Sequence, residues 1–101
     1  MFGLKDSDLE EIKKIISDFK EVEVAYMFGS RAKGNYRHGS DVDIALKGKD
    51  LTFSIVSSIA GILNEDTLMP YKFDVLNYYS ISNKELVEHI DRVGVVFWEN
   101  L

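Results

Sequence analysis

The sequence predicts an α/β fold of the α+β type, in which helices pack on one small mixed β-sheet. Segments with the three- and four-residue apolar spacing of helices alternate with short segments whose apolar residues alternate as in strands. The 101 residues contain no repeats, linkers or low-complexity segments, and they suffice for one modest core. We therefore expect a single domain over residues 1–101, built as helices layered on a sheet.

The first predicted element is an amphipathic helix. Ser7 and Glu10 match the spacing of a capping box, in which each side chain bonds to a backbone N–H at the start of a helix. The apolar residues that follow have helical spacing and predict its buried face: Leu9, Ile12, Ile15, Ile16 and Phe19.

Two strands are predicted in the first half of the chain. The apolar segment from about Val22 to Phe28 alternates enough for the first strand, and a second apolar segment covers residues 42–46. Gly29 and Ser30 lie between them, where the first strand ends and a helix can begin.

The second half predicts a helix followed by a strand. After a break at Gly48 and Asp50, helical spacing resumes over residues 53–64. Pro70 then precedes the alternating segment 71–76, which is typical of a strand.

The last predicted helix begins with a capping box formed by Ser82 and Glu85, and Gly94 marks its C-terminal end. Its buried face is predicted to consist of Leu86, Val87, Ile90 and Val93. The tail over residues 95–98 is either a short final strand or an interaction surface.

Aromatic side chains are concentrated near these last elements. For Tyr71, Phe73, Phe97 and Trp98 we expect packing in the core or at the sheet edge, in preference to stacking on an adenine.

One pattern carries chemistry, a Gly-Ser turn followed by Asp-x-Asp. Backbone N–H groups at the start of a helix are unpaired and favour a bound phosphate, which is the expectation for Gly29 and Ser30. Asp41 and Asp43 are two residues apart in a strand-like segment, so alternation places both carboxylates on one face, where they can hold Mg²⁺. Either feature alone is commonly a plain turn or solvated surface, but their joint spacing favours a functional site.

Asp74 is a third candidate, because it lies in the predicted strand over residues 71–76. Beside the strand of Asp41 and Asp43 it would complete the site, as a metal ligand or as the base that takes a proton from the nucleophile. The alternative is an edge-strand carboxylate that faces water.

Phosphoryl transfer explains this combination of residues. In-line attack on a nucleoside triphosphate requires its charges to be neutralised and the reacting oxygens to be positioned. Two Mg²⁺ ions about 3.5–4 Å apart, bridged by carboxylates, activate the attacking oxygen and stabilise the leaving pyrophosphate.

The pattern resembles that of the nucleotidyltransferase superfamily of DNA polymerase β, and most closely its minimal (MNT) branch. The resemblance rests on Gly29-Ser30, a gap of ten residues, Asp41-Val42-Asp43, and Asp74 on a later strand. It implies the polymerase β-like nucleotidyltransferase fold over nearly the whole chain.

The same resemblance implies roles and partners. The turn at Gly29 and Ser30 would hold the triphosphate of ATP, Asp41 and Asp43 would bind two Mg²⁺ ions, and Asp74 would assist one metal and the nucleophile. Many domains of this branch are encoded beside a HEPN-domain ribonuclease toxin and act as its antitoxin by moving AMP from ATP to a toxin tyrosine. A HEPN toxin is therefore the expected partner.

Basic residues surround the proposed turn. Arg31, Lys33, Arg37 and His38 are either a polar helix face and loop or a counter-charge to the triphosphate. We expect Lys33 and Arg37, together with Ser40, to bind the nucleotide, and we regard His38 as an ordinary loop histidine. The second histidine, His89, lies in a helical pattern with no visible partner.

Charge and composition exclude other classes of function. Twelve basic and seventeen acidic residues give a net charge of −5, which disfavours independent nucleic-acid binding. The chain has no cysteine, and neither end has the apolar run of a signal peptide or membrane span, so a cytoplasmic location is expected. No room is left for a separate acceptor-binding domain, so a partner or a second copy of the chain must supply one.

Two alternatives to protein AMPylation remain at this point. The first is a binding-only antitoxin or nucleotide-binding subunit that neutralises its partner stoichiometrically. The second is transfer of a nucleotide to a small molecule, although relatives with that activity carry an additional domain.

Overall fold

The computed structural model describes residues 1–100. The helices are α1 (Asp6–Ser17), α2 (Gly29–Lys33), α3 (Phe53–Glu65) and α4 (Lys84–Val93), with a short 3-10 helix at Tyr78–Ser80. The strands are β1 (Val24–Phe28), β2 (Val42–Lys47), β3 (Phe73–Asn77) and β4 (Val95–Glu99).

The four strands form one mixed sheet in the order β3-β2-β1-β4. Strand β1 pairs antiparallel with β2 and β4, whereas β2 and β3 are parallel and are connected through α3. This confirms the predicted fold class, a small mixed sheet with helices packed on it. The tail, for which a strand and an interaction surface were both open, forms the edge strand β4.

The two faces of the sheet are covered differently. Helices α1 and α3 pack on one face, where strand residues such as Ile44, Leu46 and Met27 are fully buried. Helix α4 covers part of the other face through a smaller cluster of Phe28, Ala45 and Ile90. That second face is only partly covered, so polar side chains are tolerated on it.

The aromatic side chains pack as expected. Phe73 is buried in the main core, and Tyr71, Phe97 and Trp98 pack against it while partly exposed. Among residues 1–100, no helix is long and apolar enough to cross a membrane.

Both predicted capping boxes are wrong. Helix α1 begins at Asp6 after Lys5, without a side-chain cap, so Ser7 lies inside its first turn. Helix α4 is capped by Asn83, whose side-chain oxygen accepts hydrogen bonds from the N–H groups of Glu85 (2.9 Å) and Leu86 (3.2 Å). An asparagine is as good an N-cap as a serine, and at position 83 it is one residue nearer the helix than Ser82.

These caps give a direct test of the α4 boundary. Asn83→Ala is expected to lower the free energy of unfolding by about 1 kcal/mol, because two N–H groups lose their acceptor. Ser82→Ala, which removes the cap that the sequence pattern suggested, should change it by less than about 0.5 kcal/mol. Urea unfolding of both variants measures the difference, and a larger effect at Ser82 would contradict the assignment.

Strand boundaries shift by one or two residues from their predicted positions. The first strand begins at Val24 instead of Val22, and the third spans Phe73–Asn77 instead of residues 71–76. Strand β2 begins at Val42, so Asp41 lies directly before the strand and not within it.

Candidate functional site

Two of the three predicted carboxylates are brought together by strand pairing. In the parallel pair of β2 and β3, Asp43 lies in register with Asp74. Both side chains therefore project from the same face of the sheet, the face that also carries Phe28 and Ala45. Asp43 is partly buried, whereas Asp74 and Asp41 are exposed.

The Gly-Ser turn lies against this pair. Strand β1 ends at Phe28, which is opposite Asp43 in the antiparallel register, and α2 begins at Gly29. Gly29 has φ +73, and a Cβ added to it would overlap Oδ2 of Asp43. Glycine is thus required here twice, for the left-handed backbone and for the approach of the carboxylate. Gly34, at the C-terminal end of α2, has φ +85 but open space around it.

The surroundings of Asp43 disfavour the ionised form of its carboxyl group. The pKa of Asp43 is raised from its ordinary 3.8 to about 6, chiefly by burial and also by the charges of Asp74 and Asp41, while the charge of Arg31 opposes the rise. A carboxyl with repelling neighbours is stabilised in its ionised form by a bound cation.

The donor set fits a hard divalent cation. The acidic groups whose charges act on Asp43 are the carboxylates of Asp74 and Asp41, and carboxylate oxygens are ligands that Mg²⁺ prefers. Within residues 1–100, however, no three metal-binding side chains are close enough to form a ready-made cage. Mg²⁺ commonly binds through one or two carboxylates together with water and substrate phosphates, and the arrangement suits that mode.

Arg31 is placed differently from the expectation of a counter-charge. It is only 3% exposed, and its guanidinium donates hydrogen bonds to the backbone oxygen of Ser40 (3.1 and 2.8 Å) and to that of Phe2 (2.9 Å). Its Cζ atom lies 5.5 Å from the ring centre of Tyr36 and 5.1 Å from that of Tyr71. The side chain is committed to the fold, so its polar face is not available to a triphosphate.

The remaining basic residues do not form one cluster. Lys33 is exposed at the end of α2. Arg37 and His38 line a cavity of about 510 Å³ whose lining includes Tyr36 and Tyr71 but none of the turn residues or carboxylates. Arg37 is therefore placed on a neighbouring surface, and its predicted contact with the nucleotide stays a prediction.

Ser40 has a part in the loop itself. Its hydroxyl accepts a hydrogen bond from the N–H of Arg37 (2.8 Å), and its own N–H donates to the oxygen of Arg37 (2.9 Å). These two hydrogen bonds between Arg37 and Ser40 close the turn that leads to Asp41.

Sequence patterns missed one neighbour of the turn. The ring of His89 on α4 meets that of Phe28 edge-on at 6.2 Å between centroids. Helical spacing placed His89 on a helix, but contact with the residue before Gly29 depends on how α4 docks, which periodicity does not give.

The Gly-Ser turn thus lies against Asp43, and Asp43 is in register with Asp74 on the adjacent strand. The sequence profile of the family described as polymerase beta, nucleotidyltransferase matches residues 10–100. The chain belongs to this family, which confirms the resemblance drawn from its motifs and identifies it as a nucleotidyltransferase.

Solved structures agree on the fold. A chain in a toxin–antitoxin structure with AMP-PNP has a TM-score of 0.73 at 20% identity, and the match covers 96% of this chain and 75% of that one. A chain in the complex of tri-AMPylated Shewanella oneidensis HEPN toxin with MNT antitoxin has a TM-score of 0.72 at 20% identity, covering 96% and 74%.

A third match, in an MntA–HepT toxin–antitoxin structure, has a TM-score of 0.72 at 20% identity and covers 95% of this chain and 74% of that one. At these identities the likeness establishes the fold. No curated protein matches the sequence significantly.

Proposed function

We propose that this chain transfers AMP from ATP to an acceptor hydroxyl with release of pyrophosphate, and that it is an antitoxin of the MNT–HEPN type. The observation that carries the proposal is the contact of Gly29 with Asp43, together with the register of Asp43 and Asp74, in a chain of the nucleotidyltransferase family. These residues put a phosphate-binding turn and acidic groups within contact of each other.

The roles divide among the residues as follows. Gly29 and Ser30 would hold the triphosphate through the unpaired backbone N–H groups at the start of α2, and the missing Cβ of Gly29 lets the Asp43 carboxylate approach this turn. Asp41 and Asp43 would hold two Mg²⁺ ions, which would supply neutralisation of phosphate charge and a lower pKa for the attacking hydroxyl. Asp74, exposed beside Asp43, would help to hold one of these ions and would accept the proton of that hydroxyl.

Residues of the following loop complete the nucleotide site in this proposal. Lys33 would reach the phosphates from the last turn of α2. Ser40 and Arg37 would contact the nucleotide from the loop before Asp41, and for Arg37 this requires its side chain to turn away from the neighbouring cavity that it lines. Helix α2 has five residues, so its dipole contributes little and the charged groups carry the attraction.

The proposed acceptor is a tyrosine of a cognate HEPN ribonuclease toxin. Support comes from the neighbours, since one contains an ATP analogue in a toxin–antitoxin structure and another contains a tri-AMPylated HEPN toxin with its MNT antitoxin. The net charge of −5 also argues against nucleic acid as the direct binding target of this chain.

The test is transfer of label from ATP carrying ³²P at the α-phosphate. The chain is incubated with Mg²⁺ and the HEPN protein encoded nearest to it, and the Asp41→Ala/Asp43→Ala double variant is the comparison. Label on the HEPN protein, lost in the double variant, is the expected result. Neutralisation of the toxin by the double variant would favour the binding-only antitoxin. Label on small molecules alone would favour transfer of the nucleotide to a small molecule.

A further inference from the structure

We propose that Arg31 is a positioning residue for Asp41, acting through the planar fork of its guanidinium and not through its charge. The inference rests on the proposed function for the role of Asp41 as a metal ligand. It extends that function by naming what holds the exposed carboxylate at the site, since Asp41 lies outside β2 and has no ladder bonds of its own strand to fix it.

Arg31 bonds to the loop between α2 and β2. Residues 34–41 join the phosphate turn to the strand of Asp43, and most of them are exposed. Arg31 donates two hydrogen bonds to one acceptor in this loop, the backbone oxygen of Ser40, which precedes Asp41. The peptide plane that begins Asp41 is thus bonded to α2, the helix that begins at Gly29.

The guanidinium of Arg31 is itself held by Phe2 and Tyr71. A third hydrogen bond goes to Phe2 in the N-terminal segment, and the ring of Tyr71 lies on the guanidinium. Tyr71 is in turn fixed, because its hydroxyl donates to Oδ2 of Asp8 on α1 (2.9 Å). The loop of Asp41 is therefore bonded through one side chain to α2, the N-terminal segment and the approach to β3.

The geometry of the Arg31 side chain can be tested separately from its charge. Arginine donates through several N–H groups in a fixed plane, whereas lysine carries the same charge at one point. Two donors on one carbonyl, a third on another, and stacking on aromatic rings are contacts that lysine does not reproduce. A lysine would still place a positive charge at this position, so Arg31→Lys distinguishes the two roles.

The experiment compares Arg31→Lys with Arg92→Lys, the same substitution at an exposed position in the last turn of α4. The first readout is hydrogen exchange of the peptide covering residues 36–42, which requires no activity. The second is the Mg²⁺ concentration that gives half-maximal AMP transfer at saturating ATP. Peptides from β1 and α3 report whether the fold as a whole has loosened.

We expect Arg31→Lys to speed exchange of this loop at least about fivefold and to raise the half-saturating Mg²⁺ concentration about tenfold. Arg92→Lys should leave both unchanged. Adding guanidinium ion at millimolar concentration to Arg31→Ala should restore part of the Mg²⁺ affinity, because the side chain borders the cavity of about 510 Å³. Ethylammonium, which carries the charge without the fork, should not.

Two results would overturn the proposal. In one, Arg31→Lys behaves as the wild type, so that charge alone suffices. In the other, the loop loosens while the Mg²⁺ requirement is unchanged, so that Arg31 serves the fold only. If the wild type transfers no AMP, the proposed function fails separately, and the Mg²⁺ dependence of AMP-PNP binding gives the same comparison for Arg31.

Discussion

Replacing Asp43 with asparagine is expected to reduce AMP transfer at least about a thousandfold, equivalent to about 4 kcal/mol of lost transition-state stabilisation. The substitution keeps the shape of the side chain and its contact with Gly29, but an amide is a poor ligand for Mg²⁺ where a carboxylate is required. Single-turnover transfer from α-labelled ATP measures the loss, with Asp50→Asn as a control at an exposed turn position.

The same variant should be more stable than the wild type in metal-free buffer at pH 8. A carboxyl with a higher pKa in the folded than in the unfolded chain stabilises the fold below about pH 4, and this contribution is lost as the pH rises through about 6. Asparagine stays neutral, so the variant gains about 1 kcal/mol at pH 8 once solvent screening at this partly exposed site is allowed for. The difference should vanish near pH 4.

Thermal unfolding in EDTA at the two pH values tests this. Equal stability of Asp43→Asn and wild type at pH 8 would contradict a pKa of Asp43 raised by burial and by the charges of Asp74 and Asp41. Full transfer activity in the variant would exclude Asp43 as a metal ligand.

The second large effect is expected from Gly29→Ala. The added methyl group meets Oδ2 of Asp43, and the backbone at φ +73 is unfavourable for alanine. The backbone term costs about 1–2 kcal/mol of stability. Displacing the carboxylate from the turn should lower transfer at least about a hundredfold, because small misplacements of reacting groups have effects of that size.

Gly34→Ala is the matched control. Gly34 has a similar backbone angle, φ +85, and nothing within 4 Å of an added Cβ. Both alanine variants should lose comparable stability in urea unfolding, whereas only Gly29→Ala should lose transfer. If both variants lose transfer equally, the contact between Gly29 and Asp43 is not what matters, and the backbone strain of α2 accounts for the loss.

Much of the fold is encoded in short-range pattern. The strand predicted over residues 42–46 appears as Val42–Lys47, and the helix predicted over residues 53–64 appears as Phe53–Glu65. Apolar periodicity works here because the core is assembled from one face of each element. The two predicted capping boxes failed, because a four-residue motif does not fix the helix boundary: α4 is capped by Asn83 next to Ser82, and α1 begins before Ser7 without a side-chain cap.

The sequence could predict that three candidate residues lie close together, but not which contacts hold them in place. Spacing along the chain indicated Gly29 and Asp43, the predicted strand and the family resemblance added Asp74, and pairing of β2 with β3 aligns the two carboxylates. The burial of Arg31 could not be foreseen, because one of its acceptors, Phe2, lies 29 positions away in the chain. From its neighbours in the sequence alone, Arg31 is one of several basic residues near the phosphate-binding turn.

The register of β2 and β3 keeps Asp43 and Asp74 side by side. Asp43 and Asp74 are aligned by the side chains behind them, since Val42, Ile44 and Phe73 anchor the two strands in the core. A slip of either strand by one residue would turn its carboxylate into that apolar layer, which is strongly disfavoured. The spacing of the acidic groups therefore depends on hydrophobic packing behind the sheet, and substitutions in that apolar layer can disturb it without touching either carboxylate.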